Sequence, residues 1–499
     1  MKRLLVLSLA SVFLVGFTPV GAGTLSAGDA KKAAKIITPE NLRNSLEFIA
    51  ADALLGRDTP SPGLDAAANF LAFNLKRWGA KPGGENGTFF QPIKLVKPSY
   101  DKAASKITSG DVSLSMETDF LVTSGMGTAS AAAVYIAKEV GEADVKGKIV
   151  LLGRESTRLE EGAAISKGAV GVIRNAGTAG DDWKSTVTAR SRFGGGFRMD
   201  TAGQEGPAQP AAGFRILANA DAFAKLTVGV DLKATTPVAV AKPVDITTAQ
   251  TVETATTRNV VAIIEGSDPK LKAEYVAVGA HYDHIGVGRG TGDVINNGAD
   301  DDGSGTVSVL AIAESLLSVK NRPKRSIIFV WHSGEEKGLW GSDYFNRNPT
   351  VPKGSIVAQL NIDMIGRSRP IDDTNPANKT LTGPNSIYVI GTTMMSTRLG
   401  EIVHDVNKNF EKLDYDAKYD DPKDPNRFFF RSDHYNYARN GIPICFWFDG
   451  VHEDYHRPGD EVQKIDFTRM ARIAQTVLVT AVTVANEPVR PPVDKPLGR

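Results

Sequence analysis

Beyond residue 245 the chain alternates short apolar runs, rich in β-branched residues, with longer amphipathic stretches. The runs cover residues 259–264, 275–279, 326–331, 356–362, 387–390 and 442–448. Consecutive apolar positions without a polar face predict strands buried on both sides, as in the interior of a covered sheet. Between and after them, residues 306–317, 396–410 and 466–485 carry apolar positions at helical spacing. Together they predict an α/β fold, a mixed and mostly parallel sheet covered by helices.

Upstream, a polar Lys/Ala stretch gives way to Thr38 and Pro39, a capping residue before a first-turn proline, followed by Leu42, Leu46 and Ile49 on one helical face. Residues 56–63 read as loop. A second helix is predicted over 64–78, with Leu64, Ala68, Leu71, Leu75 and Trp78 aligned and Gly79 as its stop. From about residue 100 the pattern turns to short β-rich runs and glycine. It predicts a turn and strand over 145–152, a short helix over 159–167, a strand over 168–173, a flexible loop over 194–203 and an apolar segment over 212–217. All seven histidines lie from His281 onward, so this middle block reads as a separate, non-catalytic domain. The resulting plan is a sheet domain built from residues 36–99 and 246–488, with residues 100–245 inserted between them.

Composition narrows the function classes. With 499 residues, 41% hydrophobic and 23% charged, the chain is long and apolar enough for two or three globular domains. Lys2 and Arg3, an apolar run over 4–17 and small residues to Gly23 make residues 1–23 a predicted signal peptide, too short in its apolar part to span a bilayer. The expected protein is exported, periplasmic or secreted, with no stable membrane insertion after cleavage. Overall, 58 basic residues face 57 acidic ones; without the leader the balance is 56 to 57, which argues against a nucleic-acid partner. The single cysteine, Cys445, lies in the apolar run 442–448 and is expected to be a packing residue.

The chemistry is concentrated at predicted strand ends, where α/β sheets gather their ligands. His281 and Asp283 follow the run at 275–279, Glu335 and Glu336 follow 326–331 after Ser333 and Gly334, Asp363 closes 356–362, and His456 comes a loop after 442–448. Asp300, Asp301 and Asp302 precede the helix at 306–317. A Gly-Glu-Glu turn alone is usually a solvated loop, and a lone histidine before Arg-Pro-Gly is usually on the surface. Several such sites at strand ends of one block predict a metallohydrolase instead. Zinc takes imidazole nitrogen and carboxylate oxygen, and two zinc ions about 3.5–4 Å apart need a bridging group such as a short aspartate. His281, Asp301, Glu336, Asp363 and His456 supply two imidazoles and three carboxylates, whose charge with a bridging hydroxide neutralises two Zn²⁺. Without metal, the acidic triplet is expected to repel itself and raise its pKa values, leaving the protein less stable.

Glu335, beside a ligand but off the metal, is placed as general base. Asp283 is expected to accept the other ring N–H of a ligand histidine. Tyr455 is expected to donate to the oxyanion. The run Phe428, Phe429, Phe430 reads equally as side-chain pocket or core. His332, His404 and His452 read as structural or exposed; His284 and His434, inside motifs, stay open.

These motifs resemble the di-zinc aminopeptidases of metallopeptidase family 28, leucine aminopeptidase-like, over most of the chain from Gly56 and Arg57 to the last helix. The resemblance implies the zinc exopeptidase fold. It also implies that Asp301 bridges the metals, that His281 and Asp363 complete one site, that Glu336 and His456 complete the other, and that Glu335 is the base. It further implies a cis peptide at Asp301-Asp302. Residues 100–245 look like an inserted protease-associated (PA) domain, β-rich and smaller, carried by residues 144–150 and 167–172. Two features depart from the compact secreted members. Asp301 lies twenty positions after His281, across a glycine-rich insert over 286–298, and Arg431, in a segment that resembles a cleft-lining one, stands where an arginine helps hold the substrate terminus.

The expected function is hydrolysis of the N-terminal residue of peptides with a free N-terminus, through a di-zinc-bound hydroxide. Two alternatives keep the fold: carboxypeptidase action or glutaminyl cyclisation, and a non-enzymatic receptor-like binding protein. The first needs a basic pocket or a chain without the insert, and the second needs lost ligands.

Overall fold

The computed structural model describes residues 23–193, 196–201, 213–421 and 423–495. The predicted signal peptide lies almost wholly outside them. The chain forms two compact units, one of residues 94–256 and one of residues 1–93 with 257–499. It passes between them along two long strands, Phe90–Tyr100 and Gln250–Ile264, so the divide falls inside regular structure, where composition gives no sign of it.

In the larger unit, strands lie in the order Gln250–Ile264, Ser326–His332, Tyr275–His281, Ile356–Ile362, Ile444–Phe448, Ser386–Ile390 and Asp414–Asp416. The four from Ser326–His332 to Ile444–Phe448 are mutually parallel, and Gln250–Ile264 and Ser386–Ile390 flank them antiparallel. The sheet is therefore mixed, as the apolar runs predict. The period of two explains why those runs are apolar throughout: Ile327, Phe329 and Trp331 pack into one buried layer, and Ile328 and Val330 into the other.

The first layer is covered by Pro39–Ile49, Pro62–Arg77, Gly305–Ser318, Thr397–Lys408 and the 20-residue Phe467–Asn486. Thr38 caps Pro39–Ile49 by accepting from the Asn41 N–H. The helix expected over 64–78 begins at Pro62, because the Ser61 hydroxyl accepts from the Leu64 N–H and proline suits a first turn; Pro62 and Gly63 therefore leave the loop expected over 56–63. The Lys/Ala stretch also contains a helix, Ala27–Ala34, which buries Ala30, Ala33 and Ala34.

The smaller unit holds two sheets. One runs in the order Val238–Ala239, Ala133–Ile136, Ile149–Leu152, Gly171–Asn175, Phe214–Ala218, Phe120–Ser124, and the other is four-stranded and antiparallel. Within the loop expected over 194–203, Arg198 and Met199 instead pair with Val96 and Leu95.

Leu478, fully buried in the last helix, tests this packing. Leu478→Ala is expected to lose about 2–5 kcal/mol of stability in urea denaturation. A loss under about 1 kcal/mol, typical of surface positions, contradicts the packed layer.

Candidate metal centre

The parallel strands end together, and the sequence-predicted residues gather at that edge. His281 is the last residue of its strand and Asp363 directly follows Ile362. Glu335 and Glu336 follow His332 through a turn at Ser333 and Gly334. Gly334 has φ +74°, and a Cβ there would lie 3.0 Å from the Trp340 ring, so the turn requires glycine. Asp301 and Asp302 precede the helix Gly305–Ser318 and are joined by a cis peptide.

Asp301 is the centre of the arrangement. Its Oδ1 lies 3.4 Å from His281 Nε2, which is 3.6 Å from Asp363 Oδ2. Its Oδ2 lies 3.1 Å from His456 Nε2, which is 3.0 Å from Glu336 Oε2. One carboxylate thus presents its two oxygens to two different groups. Ligand atoms on a tetrahedral zinc with bonds near 2.0–2.1 Å are about 3.3 Å apart, and these separations fall around that value. Among the described residues, the buried His281 Nε2 has no hydrogen-bond partner, the condition a bound cation relieves.

The electrostatics point the same way. Burial works to lower the His456 pKa, but Asp301 and Glu336 outweigh it and draw the imidazole up to about 10. His281 is likewise raised, against burial, by Glu335 and Asp363. The cluster demands positive charge, as protons or as metal. Self-repulsion in the acidic triplet holds for one member only. Burial pushes Asp302 well up, with Asp363 and Asp301 adding to it. Asp301 lies well below the usual range because His281 and His456 outweigh its burial, and Asp300 is lowered because His452 and Arg367 do the same.

Asp283 differs from expectation. It is the backbone carbonyl of Asp283, not its carboxylate, that faces His281 Nδ1, at 3.1 Å; the nearest carboxylate oxygen is 3.7 Å away. That carboxylate accepts instead from the Glu335 N–H (3.1 Å) and the Thr59 hydroxyl (3.1 Å), because it turns toward the Glu-Glu turn. Glu335 is largely buried, and burial, with Glu336, Asp363 and Asp433 nearby, raises its pKa well above the ordinary value.

A cleft beside this cluster is lined by Glu335, Met364, Phe428, Arg431, Phe446, Phe448, Val451 and Tyr455. Arg431 donates to the Tyr455 hydroxyl at 3.0 Å, and Tyr455 stacks on His456 with centroids 3.9 Å apart. The phenylalanine run divides: Phe428 lines the cleft, while Phe429 is fully buried in the core.

Three further residues take parts that the sequence did not assign them. His284 Nδ1 lies 2.8 Å from Glu336 Oε1. Asp460 accepts from the backbone N–H groups of Asp300 and Asp301, each at 3.0 Å. Asp302 accepts from the N–H groups of His281, Gly305 and Met364. The signal for Asp460 was its place four residues past His456, and for His284, which the sequence left open, its place three residues past His281.

The sequence pattern of Peptidase family M28 matches residues 259–481. A probable leucine aminopeptidase of Arthroderma benhamiae is 28% identical over 232 residues, 45% of this chain and 57% of that protein. A probable leucine aminopeptidase 2 of Aspergillus fumigatus is 32% identical over 206 residues, 40% of this chain and 34% of that protein. The chain thus spans only about half the length of the curated relatives it matches. Among solved structures, an aminopeptidase from Aneurinibacillus sp. strain AM-1 aligns with a TM-score of 0.49 at 18% identity, over 94% of this chain and 100% of that one.

His332 and His434 lie near the cluster but take no part in it. Both are buried, and desolvation holds each imidazole at about 3. Unfolded, they return to about 6.5, so between these values the unfolded chain binds more protons and stability falls as pH is lowered. His434 Nε2 faces the Phe429 carbonyl at 2.8 Å, a bond glutamine can replace. His434→Gln is expected to flatten the acid side of the stability curve by about 1.4 kcal/mol per pH unit, read by urea denaturation from pH 6 toward 4; an unchanged slope contradicts a neutral buried imidazole.

Proposed function

With residues 259–481 belonging to peptidase family M28, we propose that this chain is an aminopeptidase that uses two zinc ions to hydrolyse the N-terminal residue of peptides. The observation that carries this reading is Asp301, with one oxygen beside His281 and the other beside His456. His281, Asp301 and Asp363 would hold one ion, and Asp301, Glu336 and His456 the other. When bound, the zinc ions supply Lewis acidity and make a water acidic enough to act as nucleophile near neutral pH.

The remaining work belongs to the chain's own groups. Glu335, its backbone N–H fixed by Asp283, takes the proton of the attacking water and delivers it to the departing amine. Burial raises the Tyr455 pKa, so its hydroxyl stays protonated. Since that oxygen accepts from Arg431, its own proton is left to donate to the carbonyl oxygen as it becomes negative. Arg431 also remains the candidate for holding the substrate. The apolar lining of Met364, Phe428, Phe446, Phe448 and Val451 suits an apolar side chain at the substrate's first residue, consistent with relatives named as leucine aminopeptidases. The leader at residues 1–23 would export the chain, and residues 94–256 would be a protease-associated domain.

Purified mature protein assayed on aminoacyl p-nitroanilides is expected to cleave leucine substrates, to spare N-blocked ones and to lose activity with chelator. Glu335→Gln is expected to retain two zinc ions and lose at least about a hundredfold in turnover. Wild-type cleavage of N-blocked peptides, or substantial turnover by Glu335→Gln, contradicts the assignment.

A further inference from the structure

The buried Arg57 sits in a segment that the chemistry above leaves unexplained. Its side chain is fully buried and makes no ion pair among the described residues; all of its hydrogen bonds go to backbone carbonyls. Nε donates to Tyr282 O at 2.9 Å, Nη1 to Ile49 O at 2.6 Å and Asn297 O at 2.7 Å, and Nη2 to Gly298 O at 3.0 Å. Tyr282 adjoins His281. Asn297 and Gly298 lie just ahead of Asp300 and Asp301. The glycine-rich insert between the two groups therefore leaves and returns at a single guanidinium.

The backbone beside Arg57 does the same. The His284 N–H donates to Arg57 O at 3.2 Å and the Gly286 N–H to Gly56 O at 3.0 Å. A Cβ on Gly56, at φ +66°, would come within 2.4 Å of Asn296 O and 2.7 Å of Gly286 O, so the two ends of the insert close directly over that glycine. Asp58 pairs with Lys337 at 2.6 Å, next to Glu336, and Thr59 donates to Asp283.

We propose that Arg57 is a positioning residue of the metal centre, a clasp whose planar fork closes the ends of the insert and so fixes His281 against Asp301. A loop of this length and glycine content would otherwise leave its two ends loosely registered. Lysine cannot substitute, since one ammonium cannot reach carbonyls spread around a planar fork. Burial lowers the guanidinium pKa to about 10, opposed by the charges of Asp283, Asp460, Asp301 and Asp302, so the clasp stays charged at neutral pH. The inference rests on the two-zinc reading proposed above.

Zinc affinity of the full-length mature protein, measured by chelator competition, tests it. Arg57→Lys is expected to weaken binding at least tenfold. Arg325→Lys serves as control: Arg325 is equally buried and donates to Glu274 and Glu487, and its variant is expected to lose thermal stability while keeping wild-type affinity. Wild-type affinity in Arg57→Lys, or an equal loss in Arg325→Lys at matched stability, overturns the proposal. Amide hydrogen exchange on metal-free wild-type protein is independent of variant folding. The N–H groups of His284 and Gly286 are expected to be protected before zinc is added, and free exchange there would mean that metal, not Arg57, closes the insert. A wild type with no stoichiometric zinc binding removes the two-zinc reading itself, a result separable from failure of the clasp.

Discussion

Asp301, Asp302, Glu335, Glu336 and Asp363 crowd the ends of four parallel strands, where His281, His284, His456 and the buried Arg57 guanidinium partly offset them. Holding that much negative charge out of water is costly unless cations or protons neutralise it. The raised pKa values of Glu335, Asp302 and His456 are the protein's response when protons alone are offered. Two divalent ions would neutralise the same cluster and leave Glu335 free to ionise. Neutralisation links the burial of the site to its chemistry.

The surrounding structure holds the charges in place. Asp302 binds the N–H groups of His281 and Met364 and so ties two neighbouring strand ends to the start of the helix Gly305–Ser318. Asp460 fixes the backbone of Asp300 and Asp301 from the opposite side. Asp283, through the Glu335 N–H, sets the turn that carries both the proposed base and a candidate ligand. Charged groups bonded to backbone amides are rigid, and a metal site depends on ligands that do not need to be ordered on binding.

Much of this was legible in the sequence. Strands buried on both faces leave unbroken apolar runs, and candidate ligands placed just beyond those runs fall where a parallel sheet collects them. Small buried faces were less visible. Ala27–Ala34 packs through alanines, which give little contrast with the lysines around them. Atom-level partners were also out of reach: Asp283 sits at the expected spacing from His281, yet spacing does not say whether its carbonyl or its carboxylate meets the ring. The contacts of Arg57 are with backbone carbonyls, which every residue carries and no sequence marks.

The central claim is that Asp301 divides its oxygens between two metal ions. Crystals of zinc-loaded protein measured at the zinc absorption edge test it most directly. The account predicts two anomalous peaks about 3.5–4 Å apart, one beside His281 and Asp363 and the other beside Glu336 and His456, with Asp301 between them. A single peak, or a pair away from Asp301, would contradict it.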